Sequence, residues 1–338
     1  MSIQAQTYTV PEGVLTFSLP AGPSTTYLSL PLTSDPSYRG VVSSVIAVTS
    51  NTIAVDDSPA PWTAGALANL YFVKFLSGNE TGRVVLITAN TTNSLTLDTS
   101  DNSTGPTVSL TTSGFNVQAG DAFEIFPADT LASLFGDNTA QSPLLLVGSS
   151  AYLNADVVSV YVTSFFKFQS YYFNTTAGYW ELKGSTANAN NTILYPYGAL
   201  TIFRRTGSTV LSFTVMGRVA EVPILTKTGT NAAVFGSSNY PVDLTLGQLD
   251  LGSHWQTSTA YLSADVLSLY TPALFGFQSY FETPTPTWRT KSSATDESSL
   301  VTVHAGDVIS LYQRNTTSGA ASFLSAAMPY TFPANTDF

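Results

Sequence analysis

The run Ala151-Tyr152-Leu153-Asn154-Ala155-Asp156-Val157-Val158-Ser159-Val160-Tyr161 returns later as Ala260-Tyr261-Leu262-Ser263-Ala264-Asp265-Val266-Leu267-Ser268-Leu269-Tyr270. Further along, Phe166 and Phe168-Gln169-Ser170-Tyr171 return as Phe275 and Phe277-Gln278-Ser279-Tyr280. Thirteen of the 21 positions from Ala151 to Tyr171 recur at a constant offset of 109. Short runs rich in Val and Tyr, bounded by polar turns, read as strands. A duplicated β-rich unit is therefore the expected frame of the chain. The period is too long for a solenoid, and two copies make a pseudo-symmetric pair.

The first unit is placed at 140–239, with strands at Leu144–Val147, Val157–Val162, Gln169–Phe173, Tyr179–Leu182, Leu200–Arg204 and Leu211–Met216. The second, 240–338, repeats the order with Leu249–Leu251, Val266–Tyr270, Gln278–Phe281, Trp288, Val308–Tyr312 and Ser322–Met328. Residues 40–126 read as a small inserted β-domain, because short strands alternate with Asn and Gly turns. Within it, Asn51-Thr52-Ile53-Ala54-Val55-Asp56 and Asn93-Ser94-Leu95-Thr96-Leu97-Asp98 are near copies. Residues 1–39 and 127–139 supply two further strands and a linker helix packing on the first unit. Leu131–Phe135 is the expected short helix, with Asp129 or Thr130 placed to cap it. Ala119-Gly120-Asp121, Tyr197-Gly198-Ala199 and Ala305-Gly306-Asp307 each set a glycine before an alternating strand, which predicts a positive φ at that glycine. The expected fold class is all-β: two tandem related β-sandwich, jelly-roll-like units plus a small β-barrel-like insert near the N-terminus.

Charged residues are 10 per cent of the chain, against roughly 25 per cent in soluble domains. Twenty-two acids face 12 bases, giving a net charge of −10. Nucleic acid needs clustered Lys and Arg, and the nearest approach to a cluster is Arg204-Arg205; no nucleic-acid partner is expected. No apolar run reaches the length of a membrane helix, so no membrane span is expected. The chain has no cysteine, which removes disulfides, thiolate metal sites and a cysteine nucleophile. The first residues lack the basic and apolar regions of a signal peptide. They read as what remains after cleavage at a small-residue site, with a start Met restored, so an extracellular or cell-surface location is expected.

Taken in order, the Tyr27–Leu32 strand, the Asn-Ser-Leu-Thr-Leu-Asp insert, the two Ala-Asp-Val strands, the Gly-Asp turns and Ile309–Arg314 resemble a known group. It is the secreted, functionally uncharacterised β-rich protein family expanded in verrucomicrobial bacteria. That resemblance implies export and a bacterial surface setting, and brings no catalytic residue.

Little in the sequence points to catalysis. His254 and His304 lack the spacing of metal ligands, and no Gly-x-Ser-x-Gly elbow is present. Asp98-Thr99-Ser100-Asp101-Asn102 lacks the alternating acids and closing Glu of a calcium loop. No catalytic residue, metal site or cofactor is expected. Asp156 and Asp265 are repeat-equivalent carboxylates: either a pair on a pseudo-twofold, as glycosidases or cation sites use, or strand-edge caps on backbone N–H groups copied with the fold. The aromatics are the positive signal. Phe166, Phe168, Tyr171, Tyr172 and Trp180 in the first copy are matched by Phe275, Phe277, Tyr280, Phe281 and Trp288 in the second. Consecutive aromatics on a strand point to both faces, which predicts burial between the repeats together with a protein interface or a sugar-stacking surface. The ends, 1–10 and 329–338, read as extended tails able to add a strand to a neighbouring sheet edge. The expected function is non-enzymatic: a self-assembling extracellular subunit of a bacterial surface layer, appendage or filament, a homo-oligomer or polymer held by β-edge and aromatic contacts. The alternative is a carbohydrate-binding or adhesin module with a polysaccharide partner.

Overall fold

Strands dominate the computed structural model, in which the one α-helix among the described residues is Leu131–Phe135. It describes residues 11–330 except 47–50, 56–59, 101–109, 113–114, 163–166, 229–232, 250, 252–254, 272–273, 275, 315–321 and 326–327. Residues 1–10 and 331–338 of the tails, Phe166, Phe275, His254, Asp101 and Asn102 lie outside the described residues. The helix is capped by Thr130, whose hydroxyl accepts from the Ser133 amide at 3.1 Å, while the Ser133 hydroxyl accepts from the Thr130 amide at 2.8 Å. This reciprocal pair satisfies two N-terminal amides that no helix of this length can satisfy internally.

Two five-stranded antiparallel sheets carry the repeat. The first runs Tyr179–Leu182, Lys167–Asn174, Val157–Val162, Ala199–Arg204, Ser24–Ser29. The second runs Trp288–Thr290, Gly276–Glu282, Val266–Thr271, Ile309–Tyr312, Ala233–Gly236. Register follows the offset: Val158 pairs with Tyr171 and Ile202, and Leu267 with Tyr280 and Leu311. Each sheet also has a two-stranded partner. Glu12–Leu19 pairs with Leu211–Arg218 to form a first ribbon, and Leu225–Thr228 with Ser322–Ser325 to form a second.

Side chains that alternate inward from the first sheet and first ribbon share one core: Leu19, Leu28, Val158, Val160, Phe173, Trp180, Ile202 and Val215. A second core gathers Tyr240, Leu246, Trp255, Leu267, Leu269, Trp288, Ile309 and Leu311. Strand pairing moves the expected boundary at 239. Leu225–Thr228 and Ala233–Gly236 join the second unit's sheets, and Glu12–Leu19 and Ser24–Ser29 are full members of the first. Two apolar runs expected as strands are not strands. Leu144–Val147 and the described Leu249 and Leu251 lie outside strands; Leu146, Leu249 and Leu251 are buried in the cores, Leu144 and Leu145 pack against the first, and Val147 is exposed, because hydrophobic burial asks only for an inward side chain and not for a ladder.

The insert closes into a six-stranded barrel in the order Ala122–Pro127, Tyr38–Val45, Thr52–Val55, Ser94–Leu97, Val84–Asn90, Tyr71–Phe75. Val73, Phe75, Phe123 and Ile125 fill it. The alternate residues Phe72, Leu86 and Phe126 face outward and pack on Ile193 and Tyr195 of the first unit. A chain of charges lies beside them. Glu124 is the cross-strand neighbour of both Lys74 and Arg39. Lys74 Nζ is 3.6 Å from Glu124 Oε1, and Arg39 lies 3.0 Å from both Glu124 and Glu221. Arg218 of the first ribbon completes it through Glu221.

The turn glycines behave as expected in two of three cases. Gly120 has φ 97° and Gly306 φ 85°, but in the first unit the positive φ falls on Tyr197, at 61°, and not on Gly198. At an offset of 109 Tyr197 is the residue that matches Gly306, so the turn is copied while the glycine is not. A non-glycine is tolerated because Tyr197 is fixed by burial, 8 per cent exposed in the second unit's core.

Candidate functional site

The two repeated carboxylates are built identically. Asp156 Oδ1 accepts from the Arg205 amide at 2.8 Å and Oδ2 from the Val147 amide at 3.1 Å. Asp265 accepts from the Arg314 amide at 2.9 Å and the Gln256 amide at 2.8 Å. Each aspartate is 2 per cent exposed and ties a loop to the end of a strand. Burial raises the Asp265 pKa despite its backbone donors. Of the two sequence readings, the geometry is that of a backbone cap: each carboxylate accepts from two amides of its own unit. Replacing either with alanine leaves two amides without an acceptor and is expected to cost about 2 kcal/mol. Equal losses in the two single variants, read by urea denaturation, are the result this equivalence predicts.

The expected aromatics are used inside the chain. Tyr171 and Trp180 lie in the first core and Tyr280 and Trp288 in the second. Trp180 donates to the Gly136 carbonyl at 2.7 Å. Tyr172 is 8 per cent exposed, donates to Glu181 and meets Tyr152 edge-on. Phe168 and Phe277 point the other way, into the space between the units.

That space is closed reciprocally. Tyr161 and Phe168 of the first unit pack on Phe235 of the second, with centroids at 5.1 and 5.6 Å. Tyr270 and Phe277 of the second unit pack on Tyr27 of the first, at 4.2 and 5.3 Å. Tyr27 and Phe235 hold the same place, since Tyr27 pairs with Thr201 and Phe235 with Ser310, one repeat on. Backbone bonds cross over too: the Ser29 amide donates to the Gly306 carbonyl at 2.8 Å, and Gly198 bridges Gly236.

Beside this cluster a cleft of about 680 Å³ opens between the first ribbon and the second sheet. Tyr27, Tyr270, Tyr280, Thr302, His304 and Asp307 are among its lining residues. Burial raises the pKa of Tyr27 and Tyr280, so both phenols stay protonated at neutral pH and can donate or accept. The Asp307 carboxylate accepts from the His304 amide at 2.8 Å, and burial raises its pKa. At the rim His304 Nδ1 lies 3.0 Å from Asp243. Among the described residues no three His, Asp or Glu side chains group as metal ligands.

The matching place on the other side of the pseudo-twofold is unlike this cleft. Phe235 replaces Tyr27, Gly198 stands at the position of Asp307, and Tyr195 at that of His304. Tyr195 packs on Phe72 of the barrel at 5.2 Å, and the Tyr161 hydroxyl is held by the Ala233 carbonyl at 2.8 Å. On one side Tyr195 packs on the barrel; the other side is lined with hydroxyls and a carboxylate. Sequence reasoning missed this cleft, because its walls come from segments some 240 residues apart. The readable signal was the difference between repeats at Asp307 and Gly198.

The His304–Asp243 pair gives a pH expectation. The Asp243 hydrogen bond raises the His304 pKa, and the same contact lowers that of Asp243. A raised histidine adds stability that is full below its unfolded value of about 6.5 and is lost as pH rises through the folded value. The Asp243 part is present above the ordinary carboxylate range and is lost as pH falls through its depressed value. Both side chains are more than half exposed, so the stability effect is small. NMR titration should place His304 above 6.5 in the native protein and bring it back toward that value in Asp243→Asn.

No family model, curated protein or solved structure matches this chain.

Proposed function

We propose that the protein is a non-enzymatic binding module for neutral, polyhydroxylated ligands, with carbohydrate as the ligand class, acting outside the cell or at its surface. In this reading each five-stranded sheet and its ribbon form one β-sandwich of a tandem pair, and the ligand site is the cleft at their junction. The observation that carries it is the lining: the partly open rings of Tyr27 and Tyr270, the phenols of Tyr27 and Tyr280, threonine hydroxyls and one carboxylate around about 680 Å³. Aromatic faces stack on the apolar faces of sugar rings, and oriented hydroxyl and carboxylate groups fix the sugar hydroxyls. The absence of cysteine and the resemblance to a secreted bacterial family support the location.

The test is a glycan array followed by calorimetry with any oligosaccharide that binds. Tyr27→Phe removes one phenol while keeping the ring that the second unit carries at the same place, so folding is preserved. Asp307→Asn removes the cleft's carboxylate. Each is expected to weaken binding about three- to tenfold, one hydrogen bond's worth. An array with no binder, or a binder indifferent to both substitutions, overturns the reading.

A second role, self-assembly into a surface layer, appendage or filament, is favoured by a separate observation: two exposed leucines at equivalent positions, Leu153 and Leu262, 72 and 73 per cent exposed.

A further inference from the structure

Tyr152–Asn154 and Tyr261–Ser263 form single 3₁₀ turns at matching corners of the two units. At each corner the tyrosine ring sits between two cations. Lys183 Nζ and Arg205 Cζ lie 4.9 and 5.4 Å from the Tyr152 ring centre. Lys291 Nζ and Arg314 Cζ lie 5.6 and 5.2 Å from that of Tyr261. The arginines are held in the same way, Nε donating to the Ala155 carbonyl at 2.9 Å and to the Ala264 carbonyl at 2.8 Å. Among the described residues this is the one hydrogen bond made by each guanidinium side chain, and the Asp265 carboxylate also attracts Arg314. Four of the chain's 12 basic residues stand at these two corners. Among the described residues no carboxylate forms an ion pair with any of the four.

Packing does not explain the leucines. Inside the cores some positions have drifted, Val158 to Leu267 and Val160 to Leu269, while others such as Ala155 and Ala264 or Val157 and Val266 are kept; Leu153 and Leu262 have no such buried setting. The exposed Leu153 and Leu262 have not changed. An apolar side chain kept twice in water, beside an aromatic ring and unpaired cations, has the composition of a contact surface.

Its complement must be apolar and acidic. The first ribbon's outer face has that character. Val14 and Met216 are cross-strand partners, 63 and 75 per cent exposed, and the exposed Glu12 is two residues from Val14 on the same face. We propose that the Tyr152–Leu153 and Tyr261–Leu262 corners are paired docking sites for a second copy of this chain, each able to take the Glu12–Val14–Met216 face of a neighbour. The leucine meets the apolar pair, and the Lys and Arg flanking the tyrosine meet Glu12. A contact between two different faces joins copies head to tail, into a filament unless the rotation between copies closes a ring. This rests on the self-assembly reading and supplies its contact.

The experiment is light scattering and electron microscopy of the full chain across concentration and salt. The native protein should form particles larger than a monomer that dissociate as salt rises. Leu153→Ser with Leu262→Ser should raise the concentration needed for assembly at least about tenfold, the effect of losing a buried leucine. Lys183→Glu with Lys291→Glu, and separately Glu12→Lys, should each abolish assembly, and mixing the two proteins should restore mixed particles. All these positions are exposed, and unchanged circular dichroism and melting temperature would show that the variants fold. Assembly that ignores every one of these substitutions overturns the inference while leaving self-assembly standing. A monomer at every concentration overturns both. A monomer whose corners bind a synthetic acidic–apolar peptide, and lose it in the leucine variant, also overturns self-docking and assigns the sites to a foreign protein.

Discussion

Glu124→Ala is expected to destabilise the protein by about 3–5 kcal/mol, the cost of leaving a buried charge without its counter-ion. Lys74 is 2 per cent exposed, and Glu124 is the one carboxylate within 4 Å of its ammonium among the described residues. Burial already lowers the Lys74 pKa even with Glu124 present. Without Glu124 the desolvation cost has nothing to offset it. Arg39 loses one of its two carboxylates as well, and the face on which the barrel meets the first unit is weakened. The effect should shrink at alkaline pH. The folded-state lysine gives up its proton at lower pH than the unfolded chain, so stability rises with pH across that interval. Denaturation curves for Glu124→Ala against the double variant Lys74→Met, Glu124→Leu test the mechanism. Replacing both charges with apolar side chains should recover most of the loss, and a double variant as unstable as the single would show that the charges themselves are not the cause.

Trp180→Ala and Trp288→Ala should each cost about 3–5 kcal/mol, as large buried aromatics do when truncated. Trp180 is fully buried and packs on Phe135 and Phe173 at 6.0 Å. Trp288, 1 per cent exposed, packs on Trp255 at 6.1 Å. Trp180 also loses a hydrogen bond to Gly136, so Trp180→Phe is expected to retain more stability than Trp180→Ala, yet less than the native protein. Intrinsic fluorescence with calorimetry reads both sites. A Trp288 variant within 1 kcal/mol of native would mean that the second core re-forms around the gap.

The repeat was legible because identity at constant offset needs no structural insight. It gave Asp156 and Asp265 equivalent settings before their partners were known, and the structure adds the Ser159–Ser170 and Ser268–Ser279 pairs inside the repeat, whose hydroxyls meet at 2.9 and 2.8 Å. Local chemistry was legible too: Thr130 before Leu131 gave the helix, and the alternation at 40–126 gave the small barrel. What stayed hidden was non-local. Thr25-Thr26-Tyr27-Leu28-Ser29 and Ala233-Val234-Phe235-Gly236-Ser237 hold the same edge position, yet they share one residue, Ser29 with Ser237. An edge strand is specified by the ladder it joins and by one buried face, and many short sequences meet that demand. The cleft is built on that same edge and was hidden with it. The aromatics were recognised as unusual, but their dual-faced strands proved to be covered by the chain itself.

The crossed contacts of Tyr27 and Phe235 have an evolutionary consequence. Reciprocity of this kind is what two identical molecules around a twofold axis show, so the two units of this chain meet as the halves of a symmetric dimer would. In a homodimer every substitution appears twice, and a residue that improves one groove alters its mate. Two copies within one chain are free of that constraint. Tyr195 packs on the barrel at one groove, while the other carries Tyr27 and Asp307.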